Sequence, residues 1–170
     1  MRAALGCAAR HPRHRHPLPH RYPVRGRQGA QYRCPRTAAP ALAAGHPVKD
    51  SLDALAADPF LAARFAGRDP DAGYNAWDRY AEEDAAQALD QFLNTRLGRN
   101  SRGDPVTRWA TADGGMHVLA LLLYDTLRRG GFDPRVSSYA DFLARALSDP
   151  HTWPDDLNAR YLELAVTRQS

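Results

Sequence analysis

Residues 75–98 contain Trp77, Tyr80, Ala81, Ala85, Ala88, Leu89, Phe92, Leu93 and Leu97, recurring at three- and four-residue steps. Such steps draw one wide apolar stripe on a 3.6-residue helix. They fit no strand, whose side chains alternate with a period of two. A helix with one apolar face has to bury it against other elements. Asn75 is the expected cap and Gly98 the expected stop. Asp78, Glu82, Glu83 and Asp84 near the start and Arg96 near the end suit the helix dipole.

The rest of residues 50–170 reads the same way. Residues 51–57 form a short first helix. Asp58 caps a second, with Pro59 at its first position, where a missing N–H costs nothing. Phe60, Leu61, Phe65 and Ala66 supply its apolar side. Residues 67–75 form a loop by their Gly, Pro, Asp and Asn content. Asp104 and Pro105 repeat the cap-then-proline start for a short helix ending near Gly114. Residues 116–129 follow as a helix apolar around most of its circumference, closed by Arg128, Arg129 and Gly130, and this marks a central buried element. Ser138 with Asp141 is a capping-box start for the next, with Tyr139, Phe142, Leu143, Ala146 and Leu147 facing inward. Thr152 with Asp155 is the expected start of the last, whose stripe is Leu157, Tyr161, Leu164, Ala165 and Val166. Isoleucine is absent from the chain, and no run of alternating β-branched residues occurs. The expected fold is all-α, a compact bundle of five to seven helices over residues 50–170.

Residues 1–49 are a different text. They hold nine Arg and Lys49 with no Asp or Glu, a charge of +10, whereas residues 50–170 hold 13 Arg against 19 acids, a charge of −6. The pI of 9.4 averages two unlike halves. The first segment carries seven Pro and no apolar periodicity, so disorder is expected. It lacks the apolar core of a signal peptide and the Ser-rich amphipathic character of a transit peptide. Two functional readings attach to it. Arg13, Arg15, Arg21, Arg25 and Arg27, interleaved with Tyr22 and Tyr32, form a nucleic-acid-binding candidate. The tract of His11, His14, His16, His20 and His46 offers loose metal binding. A third reading removes both. Arg outnumbers Lys 22 to 1, as GC-rich coding would produce, and Val48 is then the expected true start, the Arg-rich text being upstream DNA.

Several chemistries are excluded. Cys7 and Cys34 are the only cysteines, so residues 50–170 have neither a disulfide framework nor a Cys-based metal site. No apolar run approaches the 18–20 residues or so of a membrane span. A reducing, cytoplasmic setting is the default. No phosphate-binding loop and no G-x-S-x-G nucleophile turn occurs, and Lys49 is the only lysine. Gly114 and Gly115 precede a helix and read as punctuation. Residues 102–104 spell Arg-Gly-Asp, in which Asp104 has its capping role. A helix-turn-helix would need residues 116–129 and 138–147 joined by a shorter turn. Asp71, Asp78, Glu82, Glu83 and Asp84 read as a solvated acidic face. Trp77, Trp109 and Trp153 read as core or half-buried anchors.

One polar pair stands out. Asp113 lies four residues before His117, the one histidine of the central helix, and Tyr124 seven after it. A His-carboxylate pair can transfer protons or share a metal, for which only His151 and scattered carboxylates remain as further ligands. Its plainer reading is a histidine near a helix start bonded to a carboxylate. No catalytic residue, no cofactor and no metal is assigned. The expected function is binding of another protein, or self-association. The alternatives are a nucleic-acid-associated regulator using the Arg-rich tail and an enzyme or metal-binding protein centred on Asp113 and His117.

Overall fold

The computed structural model describes residues 47–99 and 103–166. Among these there is no strand, and there are seven α-helices: α1 (Pro47–Ala54), α2 (Pro59–Ala66), α3 (Trp77–Arg96), α4 (Pro105–Thr111), α5 (Val118–Arg129), α6 (Tyr139–Ala146) and α7 (Leu157–Val166). The all-α bundle is therefore the fold. Residues 1–46, with the Arg and His tracts and both cysteines, lie outside the described residues.

The starts of three helices follow from their caps. Asp58 accepts the Leu61 N–H at 2.9 Å and Asp104 the Thr107 N–H at 3.0 Å, each with proline in the first turn. Ser138 Oγ accepts the Asp141 N–H at 3.1 Å and donates to its carboxylate at 2.6 Å. Each cap satisfies a backbone donor that the helix itself leaves free.

Other expectations need correction. The first helix runs Pro47–Ala54 rather than over residues 51–57, of which Leu55–Ala57 form a tighter 3-10 turn, and Val48 is buried among the residues of this helix. The residue before α3 is Ala76, with no side-chain cap, while the Asn75 carbonyl faces the Arg68 guanidinium at 3.5 Å. α7 starts after Asp156, which accepts the Ala159 N–H at 2.8 Å. Thr152 instead donates to Asp149 at 2.8 Å, inside the preceding turn. Ala66 and Leu97 face solvent, Leu97 with 63% of its surface exposed.

The centre of the bundle is α5, whose residues from Val118 to Leu127 are all buried. α2, α3, α4 and α7 pack on it, and α1 packs on α3 and α6. Each large aliphatic side chain so buried is worth about 1.5–3 kcal/mol relative to exposure. Polar atoms on α5 find partners in place: the Thr126 hydroxyl donates to the Leu122 carbonyl at 2.9 Å. Aromatic side chains pack into this core or against it. Phe132 lies 5.6, 5.9 and 5.1 Å from Phe92, Tyr139 and Phe142, ring centre to ring centre. Trp109 is 2% exposed, and Trp77 donates its indole N–H to the Leu52 carbonyl at 3.0 Å, tying α3 to α1.

Candidate functional site

α4 ends at Thr111, and the chain reaches α5 through a tight turn, Ala112–Gly115. Asp113, Gly114 and Gly115 all have positive φ, at 47°, 71° and 78°. Gly115 has no alternative, because a Cβ there would stand 2.9 Å from the Ala110 carbonyl oxygen. The central helix therefore starts later than the sequence suggests, and His117 is its capping residue rather than one of its turns.

His117 provides no cap with its own side chain. Asp84 of α3 does so from outside. Its Oδ2 accepts the Ala120 N–H at 3.0 Å, and its Oδ1 accepts from His117 Nδ1 at 2.5 Å. A carboxylate at the first turn of a helix is favoured by the dipole as well as by the hydrogen bond. On the other side of the ring, His117 Nε2 donates to Asp113 Oδ2 at 2.9 Å. The Tyr80 hydroxyl donates to the Met116 carbonyl at 2.8 Å and pins the turn to α3. The half-buried Tyr74 ring meets the imidazole edge-on, 5.7 Å between centres.

Burial differs sharply along this chain of groups. The Asp84 side chain is fully buried and His117 1% exposed, whereas the Asp113 side chain is 52% exposed. Burial pushes the Asp84 carboxyl up, and the His117 ring and the Ala120 N–H pull it back. Burial alone would lower His117, but the hydrogen bond and charge of Asp84, reinforced by Asp113, raise it above its ordinary value. With two carboxylate oxygens facing its two nitrogens, the doubly protonated imidazolium is the form that both contacts favour. Burial pushes Tyr74 up to about 12, helped by Glu83, Asp113 and Asp84.

Asp113 belongs equally to a second feature. An open cleft of about 620 Å3 runs between the end of α2, the loop after it and this turn. Asp113, Gly114, Gly115 and Met116 form one side and Ala63, Arg64, Gly67, Arg68, Asp69 and Asp71 the other. Arg68 is spent internally, on the Phe65 carbonyl at 2.7 Å and the Tyr74 carbonyl at 2.6 Å. Arg64 is exposed and makes no ion pair among the described residues. Its guanidinium lies 5.3 Å from the Phe60 ring centre and 5.4 Å from that of Tyr161.

The structure thus brings Asp113 and His117 together and adds Asp84. Tyr124 turns away, its hydroxyl reaching Thr95 at 3.4 Å. His151 sits exposed between α6 and α7. Asp71, Asp78 and Glu83 are exposed, but Asp84 leaves the acidic face assigned to it and lies in the core. The signal for this lies in the spacing, because Asp84 falls four residues from both Tyr80 and Ala88, in the middle of the buried stripe. Among the described residues no group of three or more His, Cys, Asp or Glu side chains is arranged to hold a metal ion. No described helix is long and apolar enough to cross a membrane. Arg13, Arg15, Arg21, Arg25, Arg27 and the Arg102 of the tripeptide lie outside the described residues. As placed, His117 offers no free nitrogen to a substrate. What the arrangement can do is hold a buried proton and join α3, α5 and the turn. No family model, no curated protein and no solved structure matches the chain.

Proposed function

We propose that the helical domain is a protein-binding module whose partner docks at the cleft between the end of α2 and the turn preceding α5. The observation that carries this reading is the cleft's lining. Five of its ten residues are charged (Arg64, Arg68, Asp69, Asp71 and Asp113), and none is aromatic. Small-molecule sites are concave and mostly apolar, with a few convergent polar groups. An open, charge-lined wall matches the polar rim of a protein contact rather than its apolar core, and there complementary charge steers encounter and fixes register. Arg64 is fixed between two rings with its charge unspent, and Asp69, Asp71 and Asp113 offer the opposite sign. The complementary surface is a polypeptide segment that carries a carboxylate beside a Lys or Arg.

A photoreactive amino acid at Ala63, on the cleft wall, tests this in cells that naturally make the protein. One discrete polypeptide adduct is expected, lost on Arg64→Glu and absent when the probe stands at Arg145 on α6. An adduct of twice the chain's mass identifies the partner as a second copy. No adduct at Ala63, or one indifferent to the charge reversal, overturns the reading.

A further inference from the structure

The same turn that lines the cleft also bonds the buried imidazole, so the proton on that ring acts on the cleft. We propose that Asp113 is a proton-controlled latch: while His117 carries both ring protons it holds Asp113 down and the turn closed, and loss of the Nε2 proton frees the turn. The latch rests on the docking reading only for what it gates, since its movement needs no partner.

The groups facing His117 are few. From α3 come the Asp84 carboxylate and the Tyr80 hydroxyl, the latter bonded to the Met116 carbonyl. From the turn comes Asp113, and from the loop after α2 the Tyr74 ring. The Ala120 N–H of α5 and the Tyr80 hydroxyl complete the surroundings of Asp84. Glu83 adds negative charge near Tyr74, and Arg64 and Arg68 add positive charge across the cleft.

These surroundings decide which proton leaves. A neutral ring turns one lone pair toward a carboxylate. Were that nitrogen Nδ1, the repelled group would be Asp84, which is fully buried and already holds the Ala120 N–H. It has nowhere to go. Were it Nε2, the repelled group is Asp113, half exposed at the lip of an open cleft. Water can take that carboxylate over. The backbone is also suited to movement there. Asp113 is the one described non-glycine residue with positive φ, and a Cβ at Gly114 beside it would meet nothing within 4 Å. Met116, whose carbonyl is held by the Tyr80 hydroxyl at 2.8 Å, marks the fixed end of the moving piece. The direction follows from the two carboxylates around the ring. They favour the imidazolium, so the latch is closed at low pH and opens as pH rises past the ordinary histidine range.

The test is an NMR titration of the full chain alone, from about pH 5 to pH 10, reading the His117 ring nitrogens and the Gly114 and Gly115 amides. The two amides are expected to move with the ring's own midpoint. Their hydrogen exchange should rise about tenfold beyond the hydroxide-driven increase. In Asp113→Asn the side-chain amide accepts from a protonated Nε2 and donates to a bare one, so the turn should stay closed while the ring still titrates. The proposal is overturned if the ring never loses a proton in this range, if the amides ignore it, or if Asp113→Asn moves as the wild type does. The wild-type titration decides the matter by itself should the variant not fold. Cross-linking at Ala63 is read at one pH, so its failure removes the docking site and leaves the latch standing, and the reverse also holds.

Discussion

Arg160 of α7 lays its guanidinium across the Asp125 carboxylate of α5, with Nη2 2.9 and 2.8 Å from the two oxygens and Nε 3.0 Å from one of them. Asp125 is 8% exposed and Arg160 20% at the side chain, and Arg129 adds a third donor at 2.8 Å. A planar fork on a largely desolvated carboxylate is among the stronger pairings a protein makes. Removing one partner strands the other. Asp125→Ala is therefore expected to cost about 3 kcal/mol in urea unfolding. A double-mutant cycle with Arg160→Ala should show a coupling of about 1–3 kcal/mol. Additive losses would mean the pair contributes nothing of its own.

Stability should fall as pH rises. The folded state binds protons on both His117 and Asp84 more tightly than the unfolded chain does, since both values are raised. For His117 the stabilisation is complete below its ordinary value of 6.5 and is lost as pH climbs through the raised folded value. For Asp84 the loss begins above 3.8 and has the same sign. Unfolding midpoints in urea from pH 5 to 9 measure this directly. Asp84→Asn should flatten the decline, and should cost about 1–3 kcal/mol at the low-pH end through the weakened cap of α5.

Two neighbouring glycines should respond differently to one methyl group. Gly114→Ala meets open space at φ 71° and should lose about 1 kcal/mol, the cost of a left-handed alanine. Gly115→Ala adds an overlap with the Ala110 carbonyl oxygen at 2.9 Å and should lose about 2–3 kcal/mol. Thermal or urea unfolding of both variants settles the order. Equal losses would argue that the turn yields at Gly115 as readily as at Gly114.

Leu123→Ala and Leu97→Ala separate the two ends of the leucine range. Leu123 is fully buried in α5, and its truncation should cost about 2–5 kcal/mol. Leu97 is 63% exposed, and its truncation should stay within about 0.5 kcal/mol. Urea unfolding that ranked Leu97 above Leu123 would contradict the placement of α5 at the centre.

Helix starts were legible where a side chain makes the start by itself. Asp58, Asp104 and Ser138 each cap the helix that follows in sequence, so a local pattern carries the whole cause. The start of α5 was not legible, because its cap comes from Asp84, a residue of α3 that no local pattern connects to it. The same holds for the site. Asp113 and His117 are four apart and could be paired on sequence alone, but a helical i, i+4 pair is not what joins them: Asp113 sits in a left-handed turn and His117 at a helix start. Angular position explains the rest. At about 100° per residue, Asp84 lies between Tyr80 and Ala88, whereas Leu97 falls on the far side of α3, although both entered the sequence as members of simple classes, acid and apolar. Position around the axis outranked residue type in both cases.

The central place of α5 has a cost during synthesis. The apolar faces of α2, α3 and α4 pack on a helix that ends at Arg129. A ribosome adding about 5–20 residues per second needs some 4–16 s to travel from Pro47 to that point. As that interval passes, Leu61, Tyr80, Phe92 and Trp109 are made in turn, each with no centre to close upon until α5 is complete. The nascent chain spends it as a string of amphipathic helices, a natural client for the chaperones that wait at the exit tunnel.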